Sequence, residues 1–225
     1  TALAARGDGA YRRDLYVWTW SSGDVRRVTR NAGIRHADVA PDGASAVADR
    51  CVGGRCDLVR VNLANGAITT LLRGDRAHVY DRPRFSRSGR LVVFAVQGTA
   101  GWRVAMMPAA GGSVTSIGDG ASNEYAPAFA RGDSVIVCTS ESGGVPNIVR
   151  VALASGETKP LTRVSGAAID PDAAGNGWIY FLSMHARGLD HARAHLDSTM
   201  SPPSAREDSI RATYPWVADE PPAGT

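Results

Sequence analysis

The sequence predicts an all-β fold, a β-propeller built from four-stranded antiparallel blades, on two observations. The first is a repeat of 43 to 45 residues that runs through most of the 225-residue chain. The second is the alternation of apolar and polar residues within each repeat, which is typical of β-strands. No segment shows the sustained periodicity of an amphipathic helix. Four short strands in each repeat of about 40–45 residues is the pattern of a propeller blade.

The repeat is defined by residues at equivalent places in successive units. Five anchor residues stand 43, 45, 45 and 43 positions apart: Asp14, Asp57, Trp102, Asn147 and Asp190. Nine residues after each of the first four comes a glycine: Gly23, Gly66, Gly111 and Gly156. Such glycines predict turns between strands. The fifth unit has Thr199 at this place, so the repeat fades toward the C-terminus.

Two kinds of strand are predicted around each anchor. Alternate residues just after the anchor are apolar, as in Val59, Val61 and Leu63, which indicates a strand with one buried face. Short runs that are apolar at every position predict strands covered on both faces. These runs lie nine to eleven residues before the anchor, at residues 46–48, 91–93, 136–138 and 179–181.

The predicted blades occupy residues 1–30, 35–73, 80–118, 125–163 and 167–200, about four and a half blades. The first unit lacks its first strand. A propeller normally closes into a ring without free strand edges. The alternatives are therefore closure by a tail strand at residues 209–217, or a partial ring cut from a larger one. The tail, residues 201–225, is rich in Pro, Ser and acidic residues like a linker, so we favour the partial ring.

Several segments carry a family resemblance. The stretches FSRSGRLVVFAV (85–96), LVRVNLANGAITTLLR (58–73) and IVRVALASGETKPLTR (148–163) resemble TolB-type, WD40-like (PD40) propeller repeats. The resemblance covers about residues 1–197. Arg87-Ser88 stands where the repeat usually has Pro-Asp, and the Trp-Asp endings of true WD40 repeats are absent. The resemblance implies a propeller of a bacterial envelope protein that makes protein contacts.

Charge and hydropathy exclude two classes of partner from the prediction. The net charge is +3, Lys159 is the sole lysine, and the arginines are scattered rather than clustered. A nucleic-acid partner is therefore not predicted, because it would need a basic patch or stripe. No apolar run approaches the roughly 20 residues that span a bilayer, so direct membrane insertion of this chain is not predicted. No signal peptide is seen in this sequence.

The sequence predicts no catalytic residue, since the G-x-S-x-G motif of serine hydrolases is absent. It also predicts no metal and no cofactor. Arg193 alternates with His191 and His195 on one strand face, where its charge would repel a cation. The acidic loop 170–177 lacks the bidentate Glu of a calcium loop. Potential ligands cluster near the end of the repeats: His185, Asp190, His191, His195 and Asp197.

Binding residues are predicted at one mouth of the central channel. The innermost strand of each blade lines the channel, and the loops that enter these strands form its mouth. Aromatic, acidic and basic residues from several blades would suit a protein or peptide. The alternative is that they are polar connectors on an exposed surface. This channel-mouth set comprises Arg35, His36, Tyr80, Asp81, Arg82, Glu124 and Tyr125.

The stretch CVGGRC (51–56) is predicted to lie at the tip of a blade hairpin. Zinc would need two more ligands nearby, and a redox motif would need the C-x-x-C spacing. The remaining choices are a disulfide between Cys51 and Cys56 across a four-residue loop, or two unpaired thiols. We favour the disulfide on condition that the protein is exported to an oxidising compartment. Cys138 aligns with a buried strand and is expected in the core.

These observations lead to one functional expectation and one alternative. We expect a non-catalytic binding or scaffold module of a bacterial cell-envelope protein, located in the periplasm or envelope, with a protein or peptide as partner. The alternative is the accessory, substrate-gating propeller of a peptidase or hydrolase whose catalytic domain is not in this chain. The sequence leaves the identity of the partner and the oligomeric state open.

Overall fold

The computed structural model describes residues 2–6, 12–118 and 120–198. The predicted tail, residues 201–225, and its strand at 209–217 lie outside the described residues. The described part contains no helix that is long and apolar enough to cross a membrane. Its strands are β1 (Ala2–Arg6), β2 (Asp14–Trp18), β3 (Val25–Arg27), β4 (Ile34–Val39), β5 (Ser45–Val52), β6 (Arg55–Asn62), β7 (Ile68–Leu72), β8 (Val79–Phe85), β9 (Leu91–Gly98), β10 (Gly101–Pro108), β11 (Thr115–Ile117), β12 (Glu124–Ala130), β13 (Val135–Ser140), β14 (Asn147–Ala152), β15 (Thr158–Pro160), β16 (Ala167–Ala173), β17 (Trp178–His185) and β18 (Gly188–His195).

The strands form five antiparallel sheets in which consecutive strands are neighbours. Sheet 1 holds β1–β3, sheet 2 β4–β7, sheet 3 β8–β11, sheet 4 β12–β15 and sheet 5 β16–β18. Asp14 pairs with Arg6 in sheet 1 as Asp57 pairs with Arg50 in sheet 2. The strands of sheet 1 therefore correspond to the second, third and fourth strands of a complete blade. The predicted all-β fold with four-stranded antiparallel blades is confirmed.

Four hydrophobic cores fill the spaces between successive sheets. In the second strand of sheet 2, Val47 packs toward sheet 3, while Ala46 and Ala48 pack toward sheet 1. Alternate residues of a strand point to opposite faces, so a sheet held between two others needs apolar residues at every position. This requirement explains the uninterrupted apolar runs that the sequence shows in the second strands.

One anchor is displaced by a single residue. Arg103 pairs with Val96 in sheet 3, as Asp57 pairs with Arg50 in sheet 2. Arg103 is therefore the structural equivalent of Asp57, and the predicted anchor Trp102 is wrong by one position. The repeat of the third unit contains one additional residue, and sequence spacing alone did not reveal where it lies.

Three anchor residues accept hydrogen bonds from the segments that connect one sheet to the next. The Oδ1 atom of Asp14 accepts a hydrogen bond from the Ala32 backbone N–H at 2.9 Å. Asp57 accepts one from Gly74 at 2.9 Å, and Asn147 accepts one from Val164 at 2.9 Å. Each donor lies in the segment that leads to the following sheet. An Asp or Asn recurs here because its short side chain satisfies a backbone donor that has no strand partner.

The hairpin of CVGGRC is tighter than predicted. β5 and β6 are joined by two residues, Gly53 (φ 59°) and Gly54 (φ 77°), and not by a four-residue loop. Two central residues with positive φ define a type I′ turn, which glycine adopts without strain. Cys51 and Cys56 stand directly opposite each other and are joined by a disulfide, with a Cα–Cα distance of 4.0 Å. Cys138 is a buried free cysteine of β13.

Candidate functional site

The first strands of sheets 2 to 5 (β4, β8, β12 and β16) carry the candidate site. Each strand has a register irregularity in its pairing with the second strand, which is typical of a β-bulge. In three of them the bulge contains a residue with positive φ that precedes a proline, a conformation uncommon for residues other than glycine. These residues are Arg82 (φ 48°), Ala126 (φ 51°) and Asp170 (φ 55°).

The bulged segments line a common cleft of about 420 Å³. Residues from β4, β8, β12 and β16 all contribute to its wall. The strand β12 contributes small or apolar side chains, whereas the other three contribute charged ones. The charged lining residues are Arg35, His36, Arg82, Arg84, Asp170 and Asp172.

Ion pairs cross the cleft between sheets 3 and 5. The Nη1 atom of Arg82 lies 2.6 Å from Oδ1 of Asp170, and Nη2 of Arg84 lies 2.7 Å from Oδ1 of Asp172. The same Arg84 approaches Asp38 of sheet 2, with its Nε atom 3.7 Å from Oδ1. The arginines span the position of β12, where small residues such as Ala126 leave room for them. Three sheets are thereby linked through charged side chains.

A second charged group is centred on His36, one of the residues that line the cleft. Its Nδ1 atom lies 3.0 Å from Oδ1 of Asp49 and 3.2 Å from Oδ1 of Asp81. The His36 backbone N–H also donates to Asp49, at 3.1 Å. The hydrogen bonds to Asp49 and Asp81 raise the pKa of His36 to about 9, against the opposing effect of burial. The imidazole is therefore a cation at neutral pH.

Two arginines complete this group. Nη2 of Arg35 lies 3.7 Å from Oδ1 of Asp81, and Nε of Arg82 lies 3.6 Å from Oδ2. Burial acts to raise the pKa of Asp81, but the His36 hydrogen bond and the two arginines hold it below its usual value. His36, Asp49 and Asp81 are the only three potential metal ligands that the described residues bring within 4.8 Å of one another. Because the neighbouring cations already balance the carboxylates, we assign the group to ion pairing.

The predicted channel-mouth set lies in strands and not in loops. Arg35 and His36 belong to β4, residues 80–82 to β8, and residues 124–125 to β12. The prediction of loop positions was wrong because each first strand begins earlier than its apolar residues suggest. Backbone pairing continues through the bulge, so polar residues at the cleft are still part of the sheet.

The structure brings part of the channel-mouth set together. Arg35, His36 and Arg82 line the cleft, and Asp81 contacts all three of them. The remaining three residues of the set do not line it.

Glu124 is buried, with 2% of its surface exposed, and cannot contact a partner as predicted. Tyr80 packs its ring edge-on against Phe94, with the ring centroids 5.7 Å apart. Tyr125 is half-buried, and burial followed by the charge of Glu141 raises its pKa to about 12. The aromatic and acidic residues at the start of the first strands therefore include residues of the core, which composition alone did not distinguish from surface residues.

Sequence reasoning missed Asp49, the residue that anchors His36. Asp49 is fully buried in β5, at the position held by Ala95 in sheet 3 and Thr139 in sheet 4. A lone carboxylate directly after the apolar run 46–48 was the available signal, because buried Asp is rare without a partner. Arg84 was missed as well, although it follows Arg82 on the same strand face.

The residues considered for a metal site have other partners. Asp170 and Asp172 of the acidic loop 170–177 lie in β16 and pair with arginines of the cleft. His195 packs against Trp178, with ring centroids 5.3 Å apart. His185 and His191 are exposed on β17 and β18. Within the described residues, these histidines are not part of a three-ligand group.

No protein-family model and no curated protein matches the sequence. Solved structures do resemble the fold. TolB from Acinetobacter baumannii is 15% identical, with a TM-score of 0.73 over 88% of this chain and 50% of that chain. A puromycin-hydrolysing peptidase from Mycobacterium tuberculosis is 11% identical, with a TM-score of 0.65 over 83% of this chain and 32% of that chain.

A third similar structure is that of a nidogen–laminin complex, 11% identical, with a TM-score of 0.62 over 81% of this chain and 69% of that chain. The chain thus spans half the length of the TolB chain and about a third of the peptidase. At these identities the likeness concerns the fold, which agrees with the repeats and the sheet order. The described part of the chain has the fold of a TolB-like β-propeller.

Proposed function

We propose that this propeller is a non-catalytic binding module that receives an extended protein or peptide segment in the cleft between β4, β8, β12 and β16. The observation that carries the proposal is the set of cross-sheet ion pairs in the cleft, Arg82–Asp170 and Arg84–Asp172. Both arginine side chains are 37% exposed, so a ligand reaches them without unfolding a blade. Each charge is held in place by strands rather than by a loop.

The chemistry of the cleft favours a ligand that carries both signs of charge. Partly exposed ion pairs contribute only about 0–1 kcal/mol, so opening one costs little. A carboxylate of the ligand would form an ion pair with Arg82 or Arg84 in place of the aspartate. A lysine or arginine of the ligand would then pair with that aspartate. Complementary charges of this kind contribute more to the choice of partner than to affinity.

The cellular setting is proposed from two features. The Cys51–Cys56 disulfide is of a kind that persists in exported proteins and is rare in the cytosol. The fold resembles TolB, and the repeats resemble those of bacterial envelope proteins. We therefore place the module in the periplasm or cell envelope.

The test is selection of peptides from a displayed random library by the whole chain, followed by calorimetric titration of the selected peptides. Arg82→Ala and Arg84→Ala should each weaken binding by about tenfold, corresponding to roughly 1.4 kcal/mol. Arg90→Ala, an exposed arginine in the turn before β9, is the matched control and should bind normally. Equal affinity for the wild type and the two cleft variants would refute the proposal.

A second candidate is the accessory propeller of a peptidase. The specific observation in its favour is the similarity to the propeller-containing puromycin-hydrolysing peptidase, of which the chain covers 32%. In that case the cleft would admit or position substrate for a catalytic domain carried elsewhere. This candidate would be favoured if the full gene product hydrolyses peptides and if Arg84→Ala changes which peptide lengths it accepts. Absence of hydrolase activity in the full product would exclude it.

A further inference from the structure

A second cleft adjoins the candidate site. It has a volume of about 710 Å³ and is lined by β8, β12 and β16 and by the turns that follow these strands. Arg84 and Asp172 line both clefts, so the two meet at the ion pair that these residues form. Each of the three strands runs from its bulge at the first cleft to its turn at the second. The two clefts are therefore opposite ends of one channel along the first strands.

Two of the three arginines that line the second cleft are paired with carboxylates. Nη2 of Arg84 lies 2.7 Å from Oδ1 of Asp172, and Arg131 pairs with Asp197. The third is Arg87, an exposed residue for which the described part of the chain provides no carboxylate within ion-pair distance. A ligand can therefore pair with Arg87 without displacing an existing partner.

The backbone of Arg87 is held by the turn of the following sheet. Oδ1 of Asp133 accepts a hydrogen bond from the Arg87 N–H at 2.7 Å, and Oδ2 accepts one from the Ser88 N–H at 3.0 Å. Burial acts to raise the pKa of Asp133, but these two hydrogen bonds hold it below its ordinary value, so the carboxylate is charged at neutral pH. The exposed side chain of Arg87 thus extends from a fixed point of the turn.

The side chain of Arg87 crosses the second cleft toward sheet 5. A Cβ atom at Gly175, in the turn after β16, would lie 3.0 Å from Nη1 of Arg87. Arg82 and Arg84 reach the aspartates of sheet 5 in the same direction. Three arginines of sheet 3 therefore extend to sheet 5 along the channel. Among the described residues, only the last of the three meets no carboxylate there.

The spacing of these arginines sets the length of ligand that can use all of them. Arg87 follows Arg82 by five residues. An extended chain advances about 3.3 Å per residue, so about five residues of a ligand cover the same distance, roughly 16 Å. An arginine guanidinium binds a carboxylate through two parallel hydrogen bonds. A ligand that enters both clefts therefore gains most from a carboxylate at this distance from the residue bound at Arg82.

We propose that Arg87 is a second ligand anchor, which binds a carboxylate about five residues along the extended segment from the position bound at Arg82. The proposal rests on the proposed function, and it adds a requirement for ligand length and for an acidic group at one end of the segment. No ion pair is broken at this anchor, whereas a ligand in the first cleft must displace aspartates. The carboxylate belongs to an acidic side chain or to the C-terminus of the ligand.

The experiment is calorimetric titration of the whole chain with peptides selected from the displayed library, each prepared at full length and truncated so that it lacks its acidic end. Arg87→Ala should weaken binding of the full-length peptides by about tenfold, as expected for loss of a hydrogen bond from a charged donor. It should leave the affinity of the truncated peptides unchanged, whereas Arg82→Ala should weaken both forms. Arg90→Ala, at an exposed arginine of the same turn, is the matched control and should bind both forms like the wild type.

Two modified peptides identify the carboxylate. One has an amidated C-terminus, and the other has its acidic side chains replaced by their amides. One of the two should show the same loss of about tenfold with the wild type, and no further loss with Arg87→Ala.

The outcomes separate this proposal from the proposed function. Full-length peptides that bind Arg87→Ala and the wild type equally, but bind Arg82→Ala more weakly, would overturn the second anchor and leave the proposed function standing. An equal loss for full-length and truncated peptides in Arg87→Ala would also overturn it, because Arg87 would then act on the first cleft. Peptides that fail to bind the wild type at all would overturn both.

Discussion

Arg82 and Asp170 stand 88 residues apart in the sequence, yet their side chains form a 2.6 Å ion pair between sheets 3 and 5. The pair bypasses sheet 4, the sheet that lies between them in the chain. Its strength therefore measures the contact across the cleft and not the packing of neighbouring blades. Its contribution is open to direct measurement.

A double-mutant cycle should isolate this ion pair. Arg82→Ala and Asp170→Ala should each lower the free energy of unfolding slightly, and their coupling should be about 0.5–1 kcal/mol, because both side chains are partly exposed. Urea denaturation of the four proteins measures the coupling. The cycle of Arg84 with Asp75, which is not in contact with it, should give no coupling. A coupling energy of zero for Arg82 and Asp170 would mean that the pair contributes nothing to the free energy of unfolding.

The His36 group should make stability depend on pH. The pKa of His36 is about 9 in the folded protein and near its ordinary value of 6.5 when unfolded. A raised pKa contributes stability that is complete below pH 6.5 and is lost as the pH rises through about 9. The loss should be about 1–2 kcal/mol after allowance for a side chain one-third exposed.

Urea denaturation between pH 6 and pH 9.5 measures this loss. The groups around the imidazole are Asp49 and Asp81, which contact it, and Arg35 and Arg82, which pair with these carboxylates. His36→Gln should remove the pH-dependent step, whereas His78→Gln, a change at an exposed histidine, should leave it in place. A wild-type protein with constant stability over the range would show that folding does not raise the pKa of His36.

The anchor Asp14 should be among the most sensitive polar positions. Its carboxylate accepts hydrogen bonds from the Asn31 and Ala32 backbone at 2.8 and 2.9 Å and from the Thr29 hydroxyl at 2.8 Å. Asp14→Ala leaves these donors buried and unpaired, so it should lower the free energy of unfolding by about 2–4 kcal/mol. The exposed Asp24→Ala is the control. Chemical denaturation measures both, and similar effects of the two changes would contradict the anchoring role.

The same carboxylate should sensitise the protein to acid. Burial acts to raise the pKa of Asp14, but the bonds from Ala32, Thr29 and Arg27 hold it below its ordinary value. A lowered pKa contributes stability that is present above the unfolded value of 3.8 and is lost as the pH falls through the folded value. Asp14→Asn should flatten the acid limb of the stability curve below pH 4, as measured by fluorescence-detected unfolding.

The hairpin disulfide should leave a defined count of free thiols. The chain has three cysteines, so titration of the unfolded, unreduced protein should find one thiol, that of Cys138. Replacing Cys51 and Cys56 by serine should cost about 2 kcal/mol, the low end expected for so short a loop. Cys138→Ser serves as the control for the thiol count, which should then fall to zero. Three thiols without reductant would contradict the disulfide.

The blade pattern was open to prediction from sequence because it rests on local chemistry. Runs such as 46–48 must be apolar wherever a strand is covered on both faces, and turn glycines recur where positive φ is needed. The register of the third unit was harder to predict from the sequence. One additional residue moves the anchor from Trp102 to Arg103, and neither residue has the short acceptor side chain that marks the other anchors.

The candidate site could be predicted only in part because its contacts are long-range. Arg82 and His36 were found as polar residues near the first strands. Asp49, however, reaches His36 from a strand whose neighbours are all apolar, and Asp170 reaches Arg82 from two sheets away. Residue type and spacing do not encode such partners. Glu124 shows the converse, since a charge expected at the surface is enclosed by the fold.

Each hydrophobic core joins a sheet only to its neighbours in the series, and this has a consequence for local opening. The stability of such arrays is approximately a sum of terms for each unit and for each pair of neighbours, so cooperativity weakens toward units that have a single neighbour among the described sheets. Amide hydrogen exchange should therefore be slowest in β9 and β13 and progressively faster toward β2 and β17. Sheet 5 supplies Asp170 and Asp172 to the cleft, so local opening of this sheet should also break the ion pairs with Arg82 and Arg84.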